Sequence, residues 1–197
     1  MDYWNNQVTG QSWQVLQQLK FPFILIGGWA VYLWTGGAKS KDIDIIVDIQ
    51  LLPTLKAEGL RKNDRLKKYE IRKGDIDIDI YVPYYSTLGI PLHTIRTTVI
   101  QGFTVPAVEE LLLFKQVAEQ ARAPSEKGEK DRIDILSLLC TCPVDFPRYR
   151  QLLAANQLDV SRLLHIVRSF QGFRYLGLTP AQLKHKKQEL VEQVRRL

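Results

Sequence analysis

A chain of 197 residues, 45% apolar and 24% charged, has an ordinary globular make-up, which excludes a disordered chain, a collagen-like repeat and a disulfide scaffold. The longest apolar run, near residue 23, is far short of the roughly 18 residues a membrane span needs, and no basic-then-apolar leader pattern opens the sequence. Cys140 and Cys142 stand one residue apart, too close for a structural bridge and too few for a zinc cage. The expectation is therefore a protein of the reducing cytoplasm with no membrane association. Charge is the unusual property: 27 Lys and Arg against 21 Asp and Glu give a net +6. Residues 61–73 hold seven basic residues against two acids, and residues 143–197 hold ten against four. The acids crowd instead into two short runs, DIDIIVD and DIDID.

In chain order, Ser12 reads as the N-cap of a helix over residues 12–20, with Trp13, Leu16 and Leu19 on one face. Pro22 breaks it, and residues 23–26 read as a buried strand. Gly27 and Gly28 follow, then a helix, WAVYLWT, ended by Gly36 or Gly37. Residues 42–49 alternate acid and aliphatic, a strand with two chemically distinct faces. Pro53 opens a helix expected to reach about Lys62. Residues 66–73 and 75–82 read as a hairpin around Gly74, and residues 94–104 as a strand pair or one long bent strand. From Pro106 onward five helical patterns follow. The last opens on Thr179-Pro180-Ala181-Gln182, a capping box with proline at the first helical position. The fold class expected is α+β: a mixed β-sheet flanked by helices over residues 1–105, then a helical domain over residues 106–197.

Aspartate is a poor strand residue, and like charges on one strand face repel. Yet Asp42 and Asp44 share one face of a strand, as do Asp75, Asp77 and Asp79 on another. Lysine or threonine would give a soluble sheet face at lower electrostatic cost. Carboxylates converging from two strands are instead suited to hard divalent cations, magnesium above all, which binds through a few carboxylates together with substrate phosphates. Gly27 and Gly28, between a strand and a helix, leave backbone N–H groups at a positive helix end, where an anion is favoured.

With these residues in place, GGWAVYLWTGGAKSKDIDIIVD resembles the signature of the DNA polymerase β-type nucleotidyltransferase superfamily: a Gly-Gly or Gly-Ser turn, a helix, then Asp-x-Asp. The resemblance implies a third carboxylate on a later strand. The run IDIDIYVP makes Asp79 the first choice and Asp77 the second. Lys115, with Asp131 and Asp134 sixteen and nineteen residues on, is similar to the Lys and Asp-x-x-Asp/Glu motifs of the AbiE-type toxins and their minimal relatives. Gly28 in place of serine, and Ala38 where an arginine is frequent, depart from the pattern.

What the resemblance implies is transfer of a nucleoside monophosphate from a nucleoside triphosphate to a hydroxyl, with release of pyrophosphate. Asp42, Asp44 and Asp79 would hold two magnesium (or manganese) ions. Gly27, Gly28, Lys39 and Ser40 would steady the triphosphate, Lys115 would face its β and γ phosphates, and Asp134 would orient Lys115. The bland reading of Asp131 and Asp134 is pairing with Lys127 or Lys130. Basic stripes at residues 61–73 and on the last helix, beside an apolar stripe of Leu183, Leu190, Val194 and Leu197, are the footprint of nucleic-acid binding, and the family resemblance implies RNA or tRNA, or else protein, as the acceptor. The family likeness further implies a toxin with a cognate antitoxin. A second expectation, of another class, is a non-catalytic nucleotide- or RNA-binding module. On the first expectation the clustered acids are a metal site, offset by metal rather than by the chain's own basic residues. His93, His165 and His185 show no ligand spacing, and Tyr84 and Tyr85 are candidates for stacking on a base.

Overall fold

Alternation along two strands decides the architecture. In a computed structural model, which describes residues 6–196, the elements are α1 (Asn6–Gln18), β1 (Ile24–Ile26), α2 (Gly27–Thr35), β2 (Ile43–Ile46), α3 (Leu52–Leu55), β3 (Arg61–Asn63), β4 (Lys68–Lys73) and β5 (Ile76–Tyr81). Then come β6 (Thr97–Ile100), β7 (Phe103–Pro106), α4 (Val108–Arg122), α5 (Glu126–Thr141), α6 (Phe146–Ala155), α7 (Ser161–Ser169) and α8 (Pro180–Arg195). Ile43, Ile45, Ile76, Ile78 and Ile80 are all buried. The residues between them, Asp44, Asp77 and Asp79, face the other way, as a period of two requires.

Five strands form one mixed sheet in the order β1-β2-β5-β4-β3. β2 and β5 are parallel, and every other pairing is antiparallel. A parallel pair needs a crossover, and residues 47–75 supply one through α3 and the β3–β4 hairpin. β6 and β7 form a separate two-stranded ribbon, so residues 94–104 resolve as a strand pair, turning at Gln101 and Gly102. The mixed sheet with flanking helices, followed by helices alone, is the α+β class expected. Contacts divide the chain into two units between Ala107 and Val108.

The first unit's core is aromatic as well as aliphatic. Trp13 and Trp29 lie with ring centroids 5.0 Å apart, Trp29 meets Tyr32 edge-on at 5.5 Å, and Trp13 meets Phe103 at 5.5 Å. Ser12, expected as an N-cap, lies inside α1, buried, and accepts a 2.9 Å hydrogen bond from the Trp29 indole. A buried indole N–H needs a partner, so a distant tryptophan and not a helix terminus accounts for this serine. The helix at Pro53 is also shorter than expected. It tightens to 3-10 geometry at Lys56–Glu58 and stops at Gly59, freeing residues 61–63 to become the edge strand β3.

In the second unit, Leu111, Leu112, Ile135, Leu136, Leu138, Tyr149, Leu163, Ile166 and Val167 form the core. The expected capping box at the start of α8 is present: Thr179 Oγ1 accepts from the Gln182 N–H, and the Gln182 side chain accepts from the Thr179 N–H. Leu183, Leu190 and Val194 are buried, as their stripe predicts, while Leu197 lies outside the described residues. Among the described residues, no helix is long and apolar enough to cross a membrane. Cys140 and Cys142 are free thiols, and burial pushes that of Cys140 up to about 11.

Candidate active site

The carboxylate face is assembled by strand register. In the β2–β5 pairing Asp44 stands directly opposite Asp79, and partners on neighbouring strands share a face about 5 Å apart. Continuing that register by one residue puts Asp42, at the mouth of β2, opposite Asp77. On the other side of β5, β4 places Glu70 opposite Asp79 and Arg72 opposite Asp77. β3 adds Arg61 opposite Glu70. One row therefore crosses four strands: Asp44, Asp79, Glu70, Arg61.

The Asp79 side chain is 20% exposed, whereas Asp77 is 54% exposed and pairs loosely with Arg72 at 3.8 Å. Burial pushes the Asp79 carboxyl up to about 6, the charge of Asp44 adds to that, and a nearby lysine offsets it only in part. That lysine is Lys68, whose Nζ lies 2.5 Å from Asp79 Oδ2 and 3.1 Å from Glu70 Oε1. Burial works against the Lys68 ammonium, yet the bond to Asp79 and the charges around it raise its pKa above the ordinary value. The expectation that these acids are offset by metal and not by the chain's own bases is corrected for two of them, because Lys68 reaches Asp79 and Arg72 reaches Asp77.

Asp44 also touches the glycine turn. α2 begins at Gly27, whose φ is +66°, and a Cβ there would fall 2.1 Å from Asp44 Oδ2. Only glycine serves this position, for conformation and for space. The N-cap residue of α2, Ile26, makes no side-chain hydrogen bond to the first turn, and a helix N-terminus favours an anion. Ser40 is buried in the segment between α2 and β2. Lys39 is exposed, its Nζ 6.0 Å from the Tyr32 ring centroid.

Lys115 and Asp134 lie in the second unit and are paired there. Lys115 Nζ is 2.6 Å from Asp134 Oδ2 and 3.2 Å from Asp131 Oδ1, and Arg122 closes on Asp131 at 2.6 Å. Both aspartates are almost fully buried, so the pairing is with Lys115 and Arg122, in place of the surface pairing with Lys127 or Lys130. Around Glu119 a second buried cluster forms, where Arg162 donates twice at 2.7 Å and Arg132 once at 2.9 Å.

Tyr85 is absorbed by packing. Its hydroxyl donates to Asp64, its ring meets Tyr69 at 5.4 Å, and Lys62 sits 4.9 Å from its centroid. Tyr84 is exposed and stacks on His93 at 4.6 Å. Among the described residues, no group of three or more His, Cys, Asp or Glu is arranged to hold a metal ion.

Lys68 and Glu70 join the carboxylate face, and the acid-rich motifs do not reveal them. A signal for them exists in the hairpin. Two residues, Gly74 and Asp75, connect β4 to β5, and counting back from that turn sets Glu70 against Asp79.

No protein-family model matches the chain, and no curated protein sequence matches it. Solved structures do. ANT(2'')-Ia, crystallised in complex with adenylyl-2''-tobramycin, aligns over 78% of this chain and 98% of its own, with a TM-score of 0.54 at 17% identity. This is a nucleotidyltransferase fold. The solution structure of the same antibiotic-resistance factor aligns over 84% of this chain and 97% of its own, again with a TM-score of 0.54 at 17% identity. JHP933 from Helicobacter pylori spans 97% of this chain and 91% of its own at 19% identity, with a lower TM-score of 0.48. The nucleotidyltransferase fold that the family resemblance implies is the fold that the ANT(2'')-Ia alignments show.

Proposed function

We propose that the chain is a nucleotidyltransferase that moves a nucleoside monophosphate from a nucleoside triphosphate to a hydroxyl acceptor and releases pyrophosphate. The observation that carries this reading is the register of Asp44 against Asp79, with the Gly27 turn lying on the Asp44 carboxylate. Carboxylate oxygens on adjacent strands are the donor set a hard divalent cation takes, and the Lys68 ammonium already seated against Asp79 marks a place that suits positive charge. Magnesium, or manganese, would be held by Asp44 and Asp79 with Asp42 beside them. Bound there, it would supply charge stabilisation for the attacking and leaving oxygens.

The chain's own residues do the rest. The backbone of Gly27 and Gly28 at the start of α2 receives triphosphate oxygens, with Lys39 and Ser40 on the segment that follows α2. Buried aliphatics on the other face of β2 and β5 hold the carboxylates rigid. Lys115 and Asp134 enter as a buried ion pair that shapes the helical unit. Of the acceptor, the chemistry specifies a hydroxyl; Lys184, Arg195 and Arg196, exposed on α8, support RNA as its carrier. A toxin role would follow from modification of such an RNA.

The test is incubation with each of the four α-labelled triphosphates, magnesium, and either total RNA, cell protein or small polyhydroxylated acceptors. Label transfer and pyrophosphate release that vanish in Asp44→Asn are expected. Normal nucleotide binding without any pyrophosphate release would instead establish a non-catalytic binding module.

A further inference from the structure

Lys68 reaches the carboxylate face from the first position of β4, a strand inside the sheet order. It sits on β4 two residues before Glu70, so both side chains project from the face that carries Asp79. Its Nζ lies 2.5 Å from Asp79 Oδ2 and 3.1 Å from Glu70 Oε1. The Lys68 side chain is only 11% exposed, against 39% for Glu70. The ammonium is therefore packed against Asp79, while Glu70 stands on the solvent side as a second seat.

A divalent ion at Asp79 meets this arrangement as a competitor. Magnesium and manganese approach carboxylate oxygens at about 2.0–2.2 Å, close enough that an ammonium on the same oxygen is excluded by contact and by repulsion. Glu70, opposite Asp79 in register, is within reach of the displaced lysine through rotation of its long side chain. We propose that Lys68 is a resident counter-cation that a divalent metal must displace from Asp79, and that Glu70 retains the lysine when it leaves. This rests on the assignment of Asp79 as a metal ligand. It makes metal affinity a property of the Lys68–Glu70 pair as well as of the aspartates.

The experiment is calorimetric titration of Mn2+ into the full chain, repeated by electron paramagnetic resonance of free Mn2+, with no nucleotide and no activity readout. Lys68→Met is expected to tighten Mn2+ binding at least tenfold. Glu70→Gln is expected to weaken it about threefold in the wild-type background and to change nothing beside Lys68→Met, because Glu70 acts through the lysine. Arg61→Met removes a cation from the same face one strand further out, and should stay within twofold of wild type. Lys68→Gln, neutral but polar, repeats the measurement should the methionine variant fold poorly by circular dichroism.

A Lys68→Met affinity within twofold of wild type, or an equal gain from Arg61→Met, overturns the proposal while Asp79→Asn still abolishes binding. If Asp79→Asn binds Mn2+ as wild type does, the assignment of Asp79 itself falls, and the proposal with it.

Discussion

A carboxylate oxygen of Asp44 occupies the space where a side chain at residue 27 would have to go. The start of α2 and the centre of β2 are therefore a single piece of geometry, the phosphate-side turn and the carboxylate held against each other. Gly27→Ala should move both. The positive φ alone costs about 1–2 kcal/mol in an L-residue, and the 2.1 Å approach of the new Cβ adds displacement of Asp44. Expected is a loss of transfer activity of two orders of magnitude or more, with a melting temperature several degrees lower. Gly36, at the other end of α2, has a φ of +67° and nothing within 4 Å of a built Cβ. Gly36→Ala should show the conformational cost with activity retained. Equal activity in the two variants would refute the coupling.

The Lys115 ion pairs make a different kind of prediction. Lys115→Met strands two nearly inaccessible carboxylates, Asp131 and Asp134, of which only Asp131 keeps Arg122. Breaking a buried pair from one side costs about 3–5 kcal/mol. Denaturant melts should record a loss of that order. Lys115→Met with Asp134→Asn should recover part of it, because the amide carries no charge to bury. A double variant no more stable than the single would show that Asp134 is not the group Lys115 serves.

How much of this was legible from residues alone differs from element to element. The alternation of Asp and Ile displays the two faces of β2 and β5 directly, because a strand's period is local. The Thr179 capping box is legible for the same reason. Asp44 against Asp79 is not, since their strands are joined by a crossover and no local pattern states a parallel register. Ser12 misleads because its partner is seventeen residues away in sequence. Charge runs state no pairing: of the seven basic residues in 61–73, Lys62, Lys68, Arg72 and Lys73 each reach an acid in the fold, which composition does not show.

Acid sensitivity should be concentrated at Glu119. Burial alone would raise its carboxyl, but hydrogen bonds and charge from Arg162 and Arg132 prevail and hold it below the ordinary 4.5. A carboxylate depressed in the fold contributes stability that is complete above its unfolded value and is lost as pH falls through the folded one. The contribution of Glu119 should therefore hold from pH 7 to about 5 and decline below 4.5. Glu119→Gln should be less stable at pH 7 and show a shallower decline over that acid window. Thermal melts by circular dichroism at half-unit steps from pH 7 to 3 make the comparison, and parallel curves for the two proteins would contradict it.

The Trp29–Ser12 bond offers a test of the aromatic core. Ser12→Ala leaves a buried indole N–H without its acceptor, at about 1–3 kcal/mol. Trp29→Phe removes the donor as well as ring area, so Ser12→Ala should be nearly neutral in the Trp29→Phe background. A double-mutant cycle by urea unfolding, followed through the remaining tryptophans, checks this. Additive losses would mean the bond contributes nothing.

The five-stranded sheet ends at β3, three residues long, with Arg61 and Lys62 exposed on it. An open strand edge is a template on which another chain can add a strand. Here the template is short and cationic, so two copies meeting edge to edge would oppose like charges before a second hydrogen bond could form. The same residues that supply the basic stripe thus act as gatekeepers against self-assembly. Neutralising them together, as Arg61→Thr with Lys62→Thr, trades colloidal stability for a stickier sheet.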